Sequence, residues 1–225
     1  MNYEIHSKEN YEKFRKIPLY SIAITYKCNW FCNYCLVQTH LRPEPTFDEI
    51  KEKIQSIPDN VRVTLSGGEP GTQSKEIVKY IFDELQRKQC IIEINTNGLF
   101  FEKFPEWENS VYRYFYHCSE KLEGNIKLPP KHLYHKIDFM ITLTDELFPR
   151  LEKFINYWLT LEINKKIFIY GGVELYQFKG THPILSKKNA FKVLRLYKSI
   201  MDKESYEYMY RSSLSINQDK GTTFL

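Results

Sequence analysis

The chain is short of cysteine, of long apolar runs and of low-complexity sequence, and each shortage removes a class of protein. Five cysteines in 225 residues are an odd number and too few for a disulfide framework, so reduced thiols are expected. No stretch approaches the roughly 18 uninterrupted apolar residues of a membrane span. The opening MNYEIHSKENYEKFRK is polar and charged where a signal peptide would carry an apolar run. The expectation is a cytoplasmic chain without a membrane partner. There are no repeats and no Gly- or Ser-rich linker, which favours one domain large enough to bury a sizeable core. Strong charge of one sign is also missing. The net charge is +4, and residues 187–225, with eight Lys and Arg against four Asp and Glu, carry all of it. Those basic residues are interleaved with acids, the pattern of a solvated helix face and not of a nucleic-acid footprint.

What the sequence has is a regular alternation of strand-like and helix-like stretches. Runs rich in Ile, Val, Tyr and Phe fall at 20–26, 61–66, 91–96, 111–118, 137–144 and 166–173. Helical patterns follow Thr46, with Glu49 three residues on as a capping box, and Ser74. Others cover about 147–163 and 187–201. The stretch between the fourth and fifth strands holds Gly124, Pro129 and Pro130 and reads as a loop. Strand and helix in alternation imply right-handed crossovers and a parallel α/β sheet, open or curled. Six units fall short of the eight in a closed barrel. The expected organisation is an N-terminal segment 1–17, a core 18–203 and a polar tail 204–225.

Three of the five cysteines, Cys28, Cys32 and Cys35, lie within eight positions directly after the first strand. That is the strand end at which parallel α/β folds place their ligands. Structural zinc wants four protein ligands, commonly as two paired units, and no second pair exists. A thioredoxin-like pair leaves Cys28 without a role. A ferredoxin-type cluster takes four thiolates, and a fourth is not nearby. There remains a [4Fe–4S] cluster held by three thiolates with one iron open, beside zinc and buried apolar cysteine as alternatives.

A second motif ends the second strand. In VTLSGGEPG, Gly67 and Gly68 expose backbone at the same edge as the cysteines, and Glu69 and Pro70 follow; taken alone this is also an ordinary turn into a helix. Together, Cys28-x-x-x-Cys32-x-x-Cys35 and Gly67-Gly68-Glu69-Pro70 in a repeating βα pattern resemble the radical S-adenosylmethionine superfamily over residues 18–200. Tyr34, the aromatic before the last cysteine, fits that pattern. The resemblance implies a partial (β/α)6 TIM-like barrel and S-adenosyl-L-methionine chelated to the open iron. It implies a Gly-Gly-Glu-Pro segment against the methionine amino group, and an external one-electron donor of flavodoxin or ferredoxin type. The implied chemistry is reductive cleavage of the cofactor to a 5′-deoxyadenosyl radical that abstracts hydrogen from substrate. A small or nucleobase-like molecule, a peptide and a glycyl-radical partner all stay open as substrates. The alternative from another class is a non-catalytic iron–sulfur electron carrier or structural metal protein.

Strand alternation adds candidates. Glu93, Asn95 and Asn97 share one face of the third strand, and unpaired burial would cost about 1–3 kcal/mol for each polar group, so Asn95 and Asn97 are candidate cofactor contacts. His117 and Ser119, at the end of the fourth strand, are candidates against the ribose by the family's habit. Gly171, Gly172 and Glu174 loosely match its Gly-rich adenine segment. No cysteine lies beyond Cys118, which excludes a second full cluster, and Cys90 and Cys118 are expected to pack as small apolar groups. His132 and His135 stand at helix-like spacing without nearby carboxylates, and the 119–135 loop is expected to be a substrate cover.

Overall fold

In the computed structural model the residues described are 14, 16–32, 35, 42–117, 129–143, 149–150, 167–171 and 222–224. The chain divides into two compact units, one of Met1–Asn29, Thr39–Tyr114 and Gly221–Leu225, the other of Trp30–Gln38 and Phe115–Lys220.

The first unit is built on parallel strands. β1 (Leu19–Thr25), β2 (Arg62–Gly67), β3 (Ile91–Thr96) and the start of β4 (Val111–His117) lie in the order β4-β3-β2-β1. The connections are the helices foreseen. α1 (Phe47–Ser56) starts at Thr46, whose hydroxyl accepts from the Glu49 amide while the Glu49 carboxylate accepts from the Thr46 amide at 2.7 Å. α2 (Lys75–Arg87) starts at Ser74, whose side chain accepts from the Ile77 amide. A short α3 (Leu99–Lys103) follows β3. The 3.6-residue period turns Ile50 and Ile54 of α1 and Val78, Ile81, Phe82 and Leu85 of α2 onto the sheet, where they are buried with Ile22, Ile24, Val63, Leu65, Ile92 and Ile94. Each such side chain contributes about 1.5–3 kcal/mol by leaving water. Aromatic rings close the α3 end, with Phe82 stacked on Trp107 at 4.8 Å and Phe101 edge-on to Tyr114 at 4.7 Å.

Glu93, one of the three polar residues on a common face of β3, is fully buried and belongs to a structural ion network. Its carboxylate accepts from Arg113 at 2.6 Å, from Arg62 at 3.1 Å and from the Thr64 hydroxyl at 3.3 Å. The Arg62 guanidinium lies 4.0 Å from the ring centre of Phe14, a buried residue of the otherwise polar opening stretch.

In the second unit β5 (Ile137–Leu143) pairs in parallel with β6 (Ile167–Gly171). The loop before β5 ends in a 3₁₀ helix, Lys131–Lys136, which puts the exposed His132 and His135 one turn apart.

A further strand departs from the expected polar tail. β7 (Thr222–Phe224) pairs in parallel with β1, Leu19 opposite Thr222 and Ser21 opposite Phe224. Thr-Thr-Phe has high strand propensity, and the edge of β1 supplies a ladder of unpaired backbone groups; at three residues the segment is too short to show a period in the sequence. The expected helices at 147–163 and 187–201 fall largely outside the described residues, of which 149–150 are helical. Among the described residues no helix is long and apolar enough to cross a membrane.

Candidate functional site

Register decides what the ends of β1, β2 and β3 bring together. Leu19 lies opposite Arg62 and Leu65 opposite Ile94, so the three strands finish side by side. Between Ala23 and Thr25 the pairing slips by one residue, a bulge that sets Thr25 against Gly67. The Ile24 carbonyl, skipped by the ladder, accepts instead from the Gln73 amide side chain at 2.6 Å. The chain leading into Cys28 is thereby bent onto the Gly-Gly-Glu-Pro segment.

Backbone bonds hold the two there. The Gly68 amide donates to the Thr25 carbonyl at 2.7 Å and the Glu69 amide to the Lys27 carbonyl at 2.9 Å, and the Thr72 hydroxyl also reaches the Lys27 carbonyl at 3.2 Å. The approach explains both glycines. A Cβ on Gly68 would stand 2.1 Å from the Lys27 carbonyl oxygen, and one on Gly67 2.2 Å from that of Thr25, with Gly67 at φ +107°. Because trans peptides oppose their N–H and C=O, inward amides turn the carbonyls of Gly67 and Gly68 away from β1.

Glu69 is placed differently from a ligand-facing carboxylate. It is 2% exposed, and its oxygens accept from the Gly71 amide at 2.8 Å, the Thr96 hydroxyl at 2.8 Å and the Asn97 amide at 2.6 Å. It caps the 3₁₀ turn Pro70–Thr72 and clamps it to the end of β3. Burial pushes the carboxyl above the ordinary carboxylate range, while every donor around it, the Phe100 amide included, pulls the other way by favouring the ionised form.

Of the β3 candidates, Asn97 enters this cluster. Its amide nitrogen stands 2.8 Å from Asn29 Oδ1 and 3.9 Å from Cys28 Sγ. Asn95 is half-buried on β3. In the second unit the Cys35 amide donates to the Cys32 carbonyl at 3.1 Å. His117 ends β4 in the same unit; part of its surface stays accessible, but burial of the ring pushes its pKa down to about 4, so it is neutral at pH 7. Gly171 ends β6. Tyr34, Cys118, Ser119, Gly172 and Glu174 lie outside the described residues. Cys90 is half-buried, not fully so, with its thiol 3.6 Å from the Pro58 carbonyl and its pKa raised by burial.

Several residues at this edge carry no signal in the sequence. Glu44, between Pro43 and Pro45, accepts from the Thr25 hydroxyl at 2.6 Å and from the Tyr26 and Lys27 amides at 2.7 and 3.1 Å, so one carboxylate holds the backbone just before Cys28. Thr96 faces away from the polar side of β3 by alternation and yet binds Glu69. Only the polar run Asn95-Thr96-Asn97 at a strand end hints at it.

The donor set fits an iron–sulfur cluster. Cys28, Cys32 and Cys35 are half-buried and in no disulfide, and thiolates are the soft ligands such clusters take.

Comparison with known proteins agrees with this geometry. The model of the radical SAM superfamily matches residues 22–118, from β1 past the end of β4. The solved structure of anSMEcpe with bound AdoMet is similar at 13% identity and TM-score 0.57, covering 89% of this chain and 62% of that one. A form of anSMEcpe with AdoMet and the Cp18Cys peptide gives 13% and 0.55 over the same shares. Streptococcus suis SuiB bound to the precursor peptide SuiA gives 13% and 0.50, covering 96% of this chain and 51% of that one. The chain thus spans between half and two thirds of the length of these structures, and the likeness is one of fold. No curated protein matches by sequence.

Proposed function

We propose that this chain is a radical SAM enzyme in which Cys28, Cys32 and Cys35 hold a [4Fe–4S] cluster and the Gly67–Pro70 edge receives S-adenosylmethionine. One observation carries the reading. The Gly-Gly-Glu-Pro backbone is sewn to the segment entering Cys28 through its amides, which turns the carbonyls of Gly67 and Gly68 away from β1. An ammonium group only donates, so acceptors are what a methionine amino group needs there. Held there, the cluster and cofactor would supply one-electron chemistry, reductive cleavage of the sulfonium to methionine and a 5′-deoxyadenosyl radical with the electron coming from an external donor.

The protein's own residues set the stage for that step. Glu44 fixes the approach to Cys28, Gly67 and Gly68 admit the close backbone contact, and Glu69 holds the acceptor edge against β3 from within. Asn95, at the end of β3, is a candidate polar contact for the cofactor. Tyr34 and Ser119 are carried as candidates on the family pattern alone. His117, neutral at working pH, can donate or accept a hydrogen bond to a ribose without adding charge.

The test uses protein purified and reconstituted without oxygen. About four irons per chain are expected, lost in each of Cys28→Ala, Cys32→Ala and Cys35→Ala and kept in Cys90→Ala. With a strong reductant and S-adenosylmethionine, slow release of 5′-deoxyadenosine should follow even without substrate. A stable cluster that never cleaves the cofactor would support the electron-carrier reading instead, and one equivalent of zinc without iron would overturn both.

A further inference from the structure

Asn97 is held at three points. Its backbone amide donates to Glu69 at 2.6 Å, and its Oδ1 accepts from the Leu99 amide at 3.4 Å. Accepting there fixes the amide orientation, so the two hydrogens of Nδ2 face Asn29 Oδ1 at 2.8 Å and Cys28 Sγ at 3.9 Å. The residue is 7% exposed, so water competes little for those hydrogens. A distance of 3.9 Å to a neutral thiol is long for a hydrogen bond. A thiolate is the stronger acceptor, and charge-assisted bonds are shorter.

The geometry points to Asn97 as a positioning residue that donates to the Cys28 sulfur when that sulfur ligates the cluster, and so raises the cluster's reduction potential. The inference rests on the three-cysteine reading above. Reduction adds negative charge to the cluster and its sulfurs, so a donor aimed at Cys28 stabilises the reduced form more than the oxidised one. The backbone bond to Glu69 aims the donor. The residue that closes the Gly-Gly-Glu-Pro clamp is therefore the one that touches a cluster ligand, and the cofactor edge and the cluster's electronics meet in a single side chain.

The test is an EPR-monitored redox titration of the reconstituted protein, without S-adenosylmethionine, for the wild type, Asn97→Ala, Asn97→Asp and Asn29→Ala. Asn97→Ala should keep about four irons and be on the order of tenfold harder to reduce, a midpoint lower by about 59 mV for a one-electron couple. Asn97→Asp preserves size and the Oδ1 acceptor, serves where the alanine variant loads poorly, and should shift the midpoint further down by placing a like charge beside the sulfur. Asn29→Ala removes the amide's other partner but not the donor, and should move the midpoint much less. Loaded Asn97 variants with the wild-type midpoint, or an equal shift in Asn29→Ala, would overturn the assignment. A wild type that takes up no cluster would instead overturn the three-cysteine reading beneath it.

Discussion

Glu69→Gln is the substitution that most sharply tests how the site is held together, because in size it is nearly silent and in hydrogen bonding it is not. The carboxylate serves only donors, among them the Gly71 and Asn97 amides and the Thr96 hydroxyl, in a place almost closed to water. In the glutamine variant one oxygen can still serve Gly71 and Thr96, but the new –NH2 must then face the Asn97 amide, two donors where the native distance is 2.6 Å. Turning the amide over makes matters worse, since two donors then meet the nitrogen. A buried donor left without an acceptor costs about 1–3 kcal/mol, and enforced donor–donor contact adds to it, so a loss of about 2–4 kcal/mol is expected. Glu69→Ala strands these donors but opens room for water, giving about 3–6 kcal/mol. Against a typical total of about 5–15 kcal/mol, either loss is plain in a urea melt followed by circular dichroism under anaerobic conditions. Iron retained per chain should fall in parallel, because the clamp orients both the glycine edge and Asn97. A glutamine variant within about 0.5 kcal/mol of the wild type would refute the argument, since it would mean that the carboxyl already carries a proton and donates in the native fold.

Other elements give equally direct expectations. Gly68→Ala places a methyl 2.1 Å from the Lys27 carbonyl oxygen, backbone that cannot retreat without breaking its bond to the Glu69 amide, so reconstitution should yield well under half the wild-type iron; full loading would show the two loops to be independent. Glu93→Ala removes the carboxylate shared by two largely buried guanidiniums and should cost about 3–5 kcal/mol in the same urea melt; a loss under about 1 kcal/mol would mean the arginines find other partners. His117 resists protonation down to about pH 4 in the fold, whereas an unfolded chain takes the proton near 6.5, so stability should be level above pH 7 and fall by about 2–3 kcal/mol as pH drops from 6.5 to 4. His117→Gln should remove that share of the slope, and an unchanged slope would place the imidazole in water. Deleting residues 222–225 strips β7 from β1 and should cost about 1–3 kcal/mol while leaving the iron count intact, with a greater tendency to aggregate through the bared edge; an unmoved urea midpoint would show the strand adds nothing.

What could be read from the sequence is what depends on near neighbours. The Thr46 box with Glu49 and the Ser74 cap use residues three apart, and the strand runs and buried helix faces follow from alternation and a 3.6-residue period. The three cysteines and the glycine pair are visible because their spacing is local as well. Glu69 shows the limit: its place in the motif is legible, its direction is not, because the donors that draw it inward come from β3, nearly thirty residues on. Glu44 is invisible for the same reason, since a carboxylate between two prolines announces nothing about Tyr26 and Lys27. The polar face of β3 divides by depth. Glu93 goes to an ion network near the strand start and Asn97 to the site at its end, which period-2 alternation cannot separate.

The weak sequence likeness to structures of the same fold has a physical basis in how this edge is made. The segment entering Cys28 is fixed by a bulge in β1 and by backbone bonds from Gly68 and Glu69, none of which requires a particular side chain beyond the absence of one at two glycines. The side chains that do matter, Glu69, Thr96, Asn97, Glu44 and Gln73, each satisfy backbone groups that the bulge and the turn leave over. Identity can therefore fall to 13% between chains of like fold, since any apolar residue of suitable volume fills the core of the strands and helices. The constraint on such a chain falls on backbone closeness and on a handful of acceptors, and that is where substitution should be felt first.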